Sequence, residues 1–186
     1  YPDGRYIELQ NDNLSPKEFK KVEIEFNKVK GSDTEAGKML REISGDKTKK
    51  LTIKFGNGKQ DGSYYQKGNN FIYIELSNMD EEDYFETGLF YDIDSTIAHE
   101  TGHAHADLYG YDPVGVNSFQ TKALREQVAG GIENNYRAIM GSGENPKQRE
   151  RYYVNNSDGS ATYFALPQWN KANKSWSLYG RKWTPR

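Results

Sequence analysis

Apolar residues recur along this chain with two periods, and each change of period marks a change of element. Pro2-Asp3-Gly4 reads as a turn, and Tyr6-Ile7-Glu8-Leu9 then alternates as a short strand does. Ser15-Pro16-Lys17-Glu18 has the form of a capping box with proline at the first helical position. The helix it starts carries the apolar stripe Phe19, Val22, Phe26 and Val29, runs to about residue 30 and stops at Gly31. A second helix is predicted over residues 34–43, with Ala36, Met39, Leu40 and Ile43 inward and Ser44-Gly45 as its end. From Lys50 the period falls to two. Leu51, Ile53 and Phe55 alternate with Thr52 and Lys54 before the turn Gly56-Asn57-Gly58, and Phe71-Ile72-Tyr73-Ile74-Glu75-Leu76 is a second, more apolar strand. These strands predict a small, mainly antiparallel sheet.

Residues 77–92, with Asp80, Glu81, Glu82, Asp83 and Glu86, read as an acidic, solvated loop. The helical period then returns. Ile93, Ile97, Ala104 and Leu108 form an inward face, Asp92, Asp94 and Ser95 offer capping groups, and Gly110 with Pro113 closes the helix. After the loop Pro113-Val114-Gly115-Val116, a long helix is predicted over residues 118–140. At about 100° per residue, Leu124, Val128, Ile132 and Ile139 share one side, while Glu126, Glu133 and Arg137 lie opposite. Ala129 and Gly130 sit between these faces and would allow close approach to another helix. The tail from Asn155 is rich in Asn, Ser, Gly and aromatic residues. Residues 162–166 read as a strand, and Trp169, Trp176 and Trp183 as anchors of irregular chain.

Composition narrows the picture. A chain of 186 residues is long enough for one domain with a real core. Its mean hydropathy of -0.98 is low, offset by 14 Tyr and 8 Phe, which bury much area per residue. The net charge of -2 excludes a general attraction to nucleic acid or an anionic membrane. No apolar run approaches a membrane span. Without cysteine there is no disulfide or thiol chemistry. The chain begins at Tyr1 with no signal peptide, and is expected to be a piece of a longer protein.

The chemistry concentrates in Ile97-Ala98-His99-Glu100-Thr101-Gly102-His103-Ala104-His105, which contains all three histidines of the chain. Residues i and i+4 stack on one helix face, so His99 and His103 can grip one metal ion. Glu100, turned about 100° from His99, can reach a water beside that metal without ligating it. Imidazole suits zinc, and a catalytic zinc takes three protein ligands and leaves one position open. His105 points off the ligand face. The third ligand is expected from the long helix, where Glu126 and Glu133 are both candidates and spacing alone does not separate them. Glu133 has Arg137 four residues on, a salt-bridge spacing, but Glu126 has Lys122 four residues before it, so these pairs discriminate only weakly. Glu126 is favoured as ligand and Glu133 as a residue that orients a ligand or supports the fold, with the choice between them open. Asp107, one turn past His103, is a second candidate for orienting a ligand. Tyr152, Tyr153, Arg137 and Tyr136 are candidate donors to a developing oxyanion. A strand edge beside the metal helix could hold an extended peptide by main-chain hydrogen bonds.

These residues carry a family resemblance. The H-E-x-x-H helix, followed by Glu126, Ala129, Glu133-Asn134 and Arg137 in the form E-x-x-A-x-x-x-E-N-x-x-R, resembles the zincin metallopeptidases found as toxin domains at the ends of Rhs/YD-repeat and type VI secretion proteins. Pro2-Asp3-Gly4-Arg5 is similar to the end of an Rhs core, although Tyr1 stands where Asp is usual. The positions of the Gly and the third His in the extended metzincin motif hold Ala106 and Tyr109, so the chain departs from that group. The resemblance implies an α+β, zincin-like fold in which a small sheet packs on the metal helix and the long helix. It implies one domain over 1–186, with 1–10 a junction to an upstream protein and 155–186 an aromatic-rich extension. It further implies one Zn²⁺ held by His99, His103 and Glu126, Glu100 as general base, and hydrolysis of a target-cell protein. Delivery as part of a larger secreted bacterial protein and a cognate immunity protein as partner belong to the same expectation. Two other functions fit the residues: a non-catalytic zinc-containing binding module, and a zinc hydrolase acting on something other than peptide.

Overall fold

A computed structural model describes residues 6–58, 62–77, 79, 89–115, 117–141, 147–155, 158–178 and 181–183. The acidic stretch from 80 to 86 and the Pro2–Arg5 turn lie outside the described residues. The protein is mixed α+β, with four helices and small sheets among the described residues. The order is β1 (Ile7–Asn11), α1 (Pro16–Gly31), α2 (Glu35–Gly45), β2 (Leu51–Gly56), β3 (Tyr64–Gln66), β4 (Phe71–Glu75), α3 (Ile93–Leu108) and α4 (Ser118–Met140), then β5 (Arg151–Asn155), β6 (Ala161–Ala165), β7 (Gln168–Asn170), β8 (Ser175–Leu178) and β9 (Arg181–Trp183).

The helix ends follow from the caps in the sequence. Ser15 accepts from the Glu18 backbone while the Glu18 carboxylate accepts from the Ser15 backbone, the reciprocal box expected there. Thr34 caps α2 through Gly37 N–H, and Asp92 caps α3 through Ser95 N–H. Gly110, at φ 72°, turns the chain left-handed just past α3, as its place predicted. Val22, Phe26 and Val29 of α1 and Leu40 and Ile43 of α2 are buried against Leu51, Ile53, Phe55, Ile72 and Ile74 of the sheet and Ile97 of α3.

The main sheet differs from expectation. Its order is β1-β2-β4-β3, with β1–β2 and β2–β4 parallel and only β3–β4 antiparallel. The two helices between β1 and β2 form a crossover, which returns the chain in the same direction. Gly56-Asn57-Gly58 does not close a β2–β4 hairpin. The short strand β3, too brief for a periodic signal, runs back at the sheet edge, and β4 inserts between it and β2. Of the apolar side of α4, Leu124 is 38% exposed while Ile132 is buried. Burial in α4 covers residues 129–136 all round, because α3 packs on one flank and β5 and β7 on another.

Small residues set the α3–α4 distance. A Cβ on Gly102 would lie 2.9 Å from Ala129 Cα, and one on Gly130 would lie 2.7 Å from the Leu166 side chain. The C-terminal tail is ordered by pairing rather than irregular. β5 and β6 form one antiparallel pair, and β7, β8 and β9 form a meander in which Trp169 opposes Trp176 and Trp176 opposes Trp183. The spacing of the tryptophans is therefore the register of two successive hairpins. Among the described residues no helix is long and apolar enough to cross a membrane.

Gly102→Ala should destabilise the fold by about 1–3 kcal/mol, because the added methyl has backbone rather than a flexible side chain in its way. Urea unfolding checks this, and an unchanged midpoint would mean that the helices need no such close approach.

Candidate metal centre

α3 presents His99 and His103 on one face because they are four residues apart, and their rings meet edge to face at 5.1 Å. α4 runs alongside and delivers Glu126. Its Oε2 lies 3.3 Å from His99 Nε2 and 3.4 Å from His103 Nε2. Although buried, that oxygen has no hydrogen-bond partner among the described residues. Three ligand atoms within 4.8 Å of one another could hold a metal ion. The separations match the ~3.4 Å edge of a tetrahedron with metal–ligand bonds of about 2.1 Å. His99, His103 and Glu126 are the group among the described residues that could hold such an ion.

Glu133 sits behind this cluster. Its Oε2 is 3.1 Å from His99 Nδ1, so a proton on Nδ1 would donate to it and Nε2, the nitrogen facing Glu126, would be the one free to ligate a metal ion. The same carboxylate accepts from Arg137 Nε at 2.8 Å and lies 3.4 Å from Arg149 Nε. Burial opposes its ionisation, but Arg149 and Arg137 outweigh burial and hold the carboxyl well below the usual range. Burial likewise opposes ionisation of Glu126, yet His103 and His99 depress it strongly. Glu100 is the reverse case: burial raises its carboxyl, with the Glu126 and Glu133 charges adding to the rise, and its Oε2 has no partner. Burial alone would lower His99, but Glu126 and Glu133 push it up to about 10. Two arginines neutralise Glu133, leaving Glu100 and Glu126 facing the imidazoles, a field that favours a bound cation.

The remaining candidates separate by their contacts. Tyr152 stacks on His99 at 5.5 Å and lines the cavities on both sides of it. Burial, with the charges of Glu126 and Glu100, pushes its hydroxyl well above the ordinary value, so it stays a donor. Tyr153 lines one cavity and is 37% exposed. Arg137 is turned away, to Asp92 at 3.2 Å and the Phe90 carbonyl at 3.1 Å, and Tyr136 donates to Asp94 at 2.8 Å. Neither lines the cavities beside His99. Asp107, read as a residue that could orient a ligand, instead accepts from Tyr65 Oη at 2.7 Å and Gly68 N–H at 3.3 Å, because β3 packs over that end of α3. His105 faces α2 and lies 2.9 Å from Glu42.

Two contributors were not visible in the sequence. Arg149 is buried, with its guanidinium over Tyr91 and Tyr152. Asn134 fixes the chain there: its side chain accepts from Arg149 N–H at 2.7 Å and donates to the Arg149 and Pro167 carbonyls at 2.7 and 2.9 Å. The adjacency of Asn134 to Glu133 in the E-N pair was the only available signal.

Glu133→Gln should cost about 3–5 kcal/mol, since it removes a buried carboxylate that Arg137, Arg149 and His99 all meet. Because the folded carboxyl is depressed, its contribution is present above its ordinary value of 4.5 and is lost as the pH falls below it. Denaturant titrations at neutral and acid pH measure both effects. Equal stabilities of variant and wild type at neutral pH would remove Glu133 from the support of the site.

No family model matches the chain, and no curated protein or solved structure matches it either, so the reading of this site rests on its own residues.

Proposed function

We propose that the chain is a zinc metallopeptidase of the zincin kind. The observation that carries this reading is Glu100. It lies next to a ligand histidine on the same helix, its Oε2 is buried and unpartnered, and it lines both cavities that flank the cluster. A structural zinc site needs no such carboxylate.

His99, His103 and Glu126 would hold the ion, whose Lewis acidity when bound acidifies water and polarises a carbonyl. Glu100 takes the proton of the attacking water and passes it to the leaving amine; the raised affinity of its carboxyl for a proton suits that task. Glu133 fixes the His99 ring through Nδ1. Tyr152 covers that ring, keeps water from it, and offers an O–H to the oxygen of the scissile carbonyl. β3, at the edge of the sheet, contributes Tyr64 and Tyr65 to one cavity wall, which places a strand edge where an extended peptide can lie. The toxin role, delivery within a larger bacterial protein and a cognate immunity protein are carried by the sequence resemblance.

Purified wild type should contain about one zinc per chain by elemental analysis, and Glu126→Ala should lose most of it. Glu100→Gln should keep zinc and fold while hydrolysis of an unfolded protein substrate falls about 10²–10⁴-fold. Metal-replete wild type without zinc, or a Glu100→Gln protein that cuts as fast as wild type, would sink the reading.

A further inference from the structure

The two cavities beside the cluster differ in charge. One, of about 300 Å³, is lined by Glu75, Glu133 and Arg149 among others. The second, of about 480 Å³, lies on the His103 and Glu126 side, and its lining charges beyond the cluster itself are Lys122 and Arg125. Among the described residues, Glu100 and Glu126 are the acidic side chains that line it.

Neither cation is fully neutralised by the carboxylates of the described residues. Lys122 is exposed and pairs with no described acidic residue. Arg125 pairs with Asp112, but Asp112 is shared with Lys67, and the buried Nε of Arg125 has no partner. A buried, unpartnered N–H on a guanidinium is costly unless something accepts from it. Lys122 and Arg125 occupy the turn of α4 that leads into Glu126, so the helix that supplies the third ligand candidate also sets their distance from it. Ser118 and Thr121 add hydroxyls on the same wall.

We propose that this second cavity is a carboxylate-binding subsite, in which Lys122 and Arg125 hold a carboxylate of the substrate chain beside the metal ligands. The polypeptide nature of that substrate rests on the peptidase reading; the charge preference rests on the cavity. The site thus selects acidic segments, even though the whole chain carries a slight negative charge.

The test is fluorescence anisotropy on the zinc-loaded, full-length Glu100→Gln protein, which cannot consume the probes. The probes are labelled, amidated hexapeptides with a central Glu-Glu or Gln-Gln, and the Gln-Gln peptide with a free C-terminus. The Glu-Glu probe should bind at least about tenfold tighter than its amide isostere, with the difference shrinking as salt rises. Lys122→Glu, a surface change that spares the fold, should abolish the difference. Preferential binding of the free C-terminus instead would identify the carboxylate as terminal. Probes that bind within twofold of one another, no binding of any of them, or a preference that survives Lys122→Glu would overturn the subsite. Zinc content and wild-type cleavage of the Glu-Glu peptide, measured alongside, separate the two readings. Retained preference without zinc or cleavage removes only the peptidase, and cleavage without preference removes only the subsite.

Discussion

The buried carboxylate of Glu133 is the interaction on which the rest of the site depends. A charge in the interior is tolerable only when its neighbours satisfy it, and three elements do so here. His99 meets it from α3, Arg137 from its own helix, and Arg149 from the segment ahead of β5. Displacing any of the three removes part of the compensation of that buried charge. Through His99 Nδ1 the same carboxylate decides which ring nitrogen faces Glu126. Through Arg137 it reaches Asp92, the cap of α3. Asn134 then ties the Arg149 backbone to α4, so two adjacent residues of one helix organise charge and chain path together.

Steric economy completes that arrangement. Gly102 lies between His99 and His103 and meets Ala129, which lies one turn beyond Glu126 on α4. The close approach of the helices brings the Glu126 carboxylate within 3.4 Å of both imidazoles. The sheet serves as the wall of the site: Tyr65 of β3 grips α3 through Asp107, while Ser63 and Glu75 line the cleft. Tyr152, delivered by the β5–β6 hairpin, closes over His99 from the opposite side.

The electrostatics of the cluster and of its surroundings act in sequence. Glu126 and Glu100 make the centre a trap for positive charge, which His99 answers with a proton and a metal ion would answer more strongly. Around that centre the charge is uneven, with Glu75 and the Glu133–Arg149 pair on one side and Lys122 with Arg125 on the other. Lys122 and Arg125 share a turn of α4 with Glu126, so the helix that supplies the third candidate ligand also sets this unevenness of charge.

What the sequence determined by itself is local. Periodicity and caps placed α1, α2, α3 and α4, because Ser15, Thr34 and Asp92 act on backbone groups within one turn. The i, i+4 spacing put His99 and His103 on one face for the same reason. Long-range choices belonged to the tertiary structure. Glu126 and Glu133 are equivalent by spacing, and only the lateral position of α4 against α3 sends one to the imidazole Nε2 atoms and the other to Nδ1. The parallel pairing of β1 with β2 was decided by a crossover, and β3 is too short to show a period. The tryptophan spacing became legible only as a hairpin register. Arg149 carried no local signal at all: a buried arginine is defined by its partners, and all of them lie elsewhere along the chain.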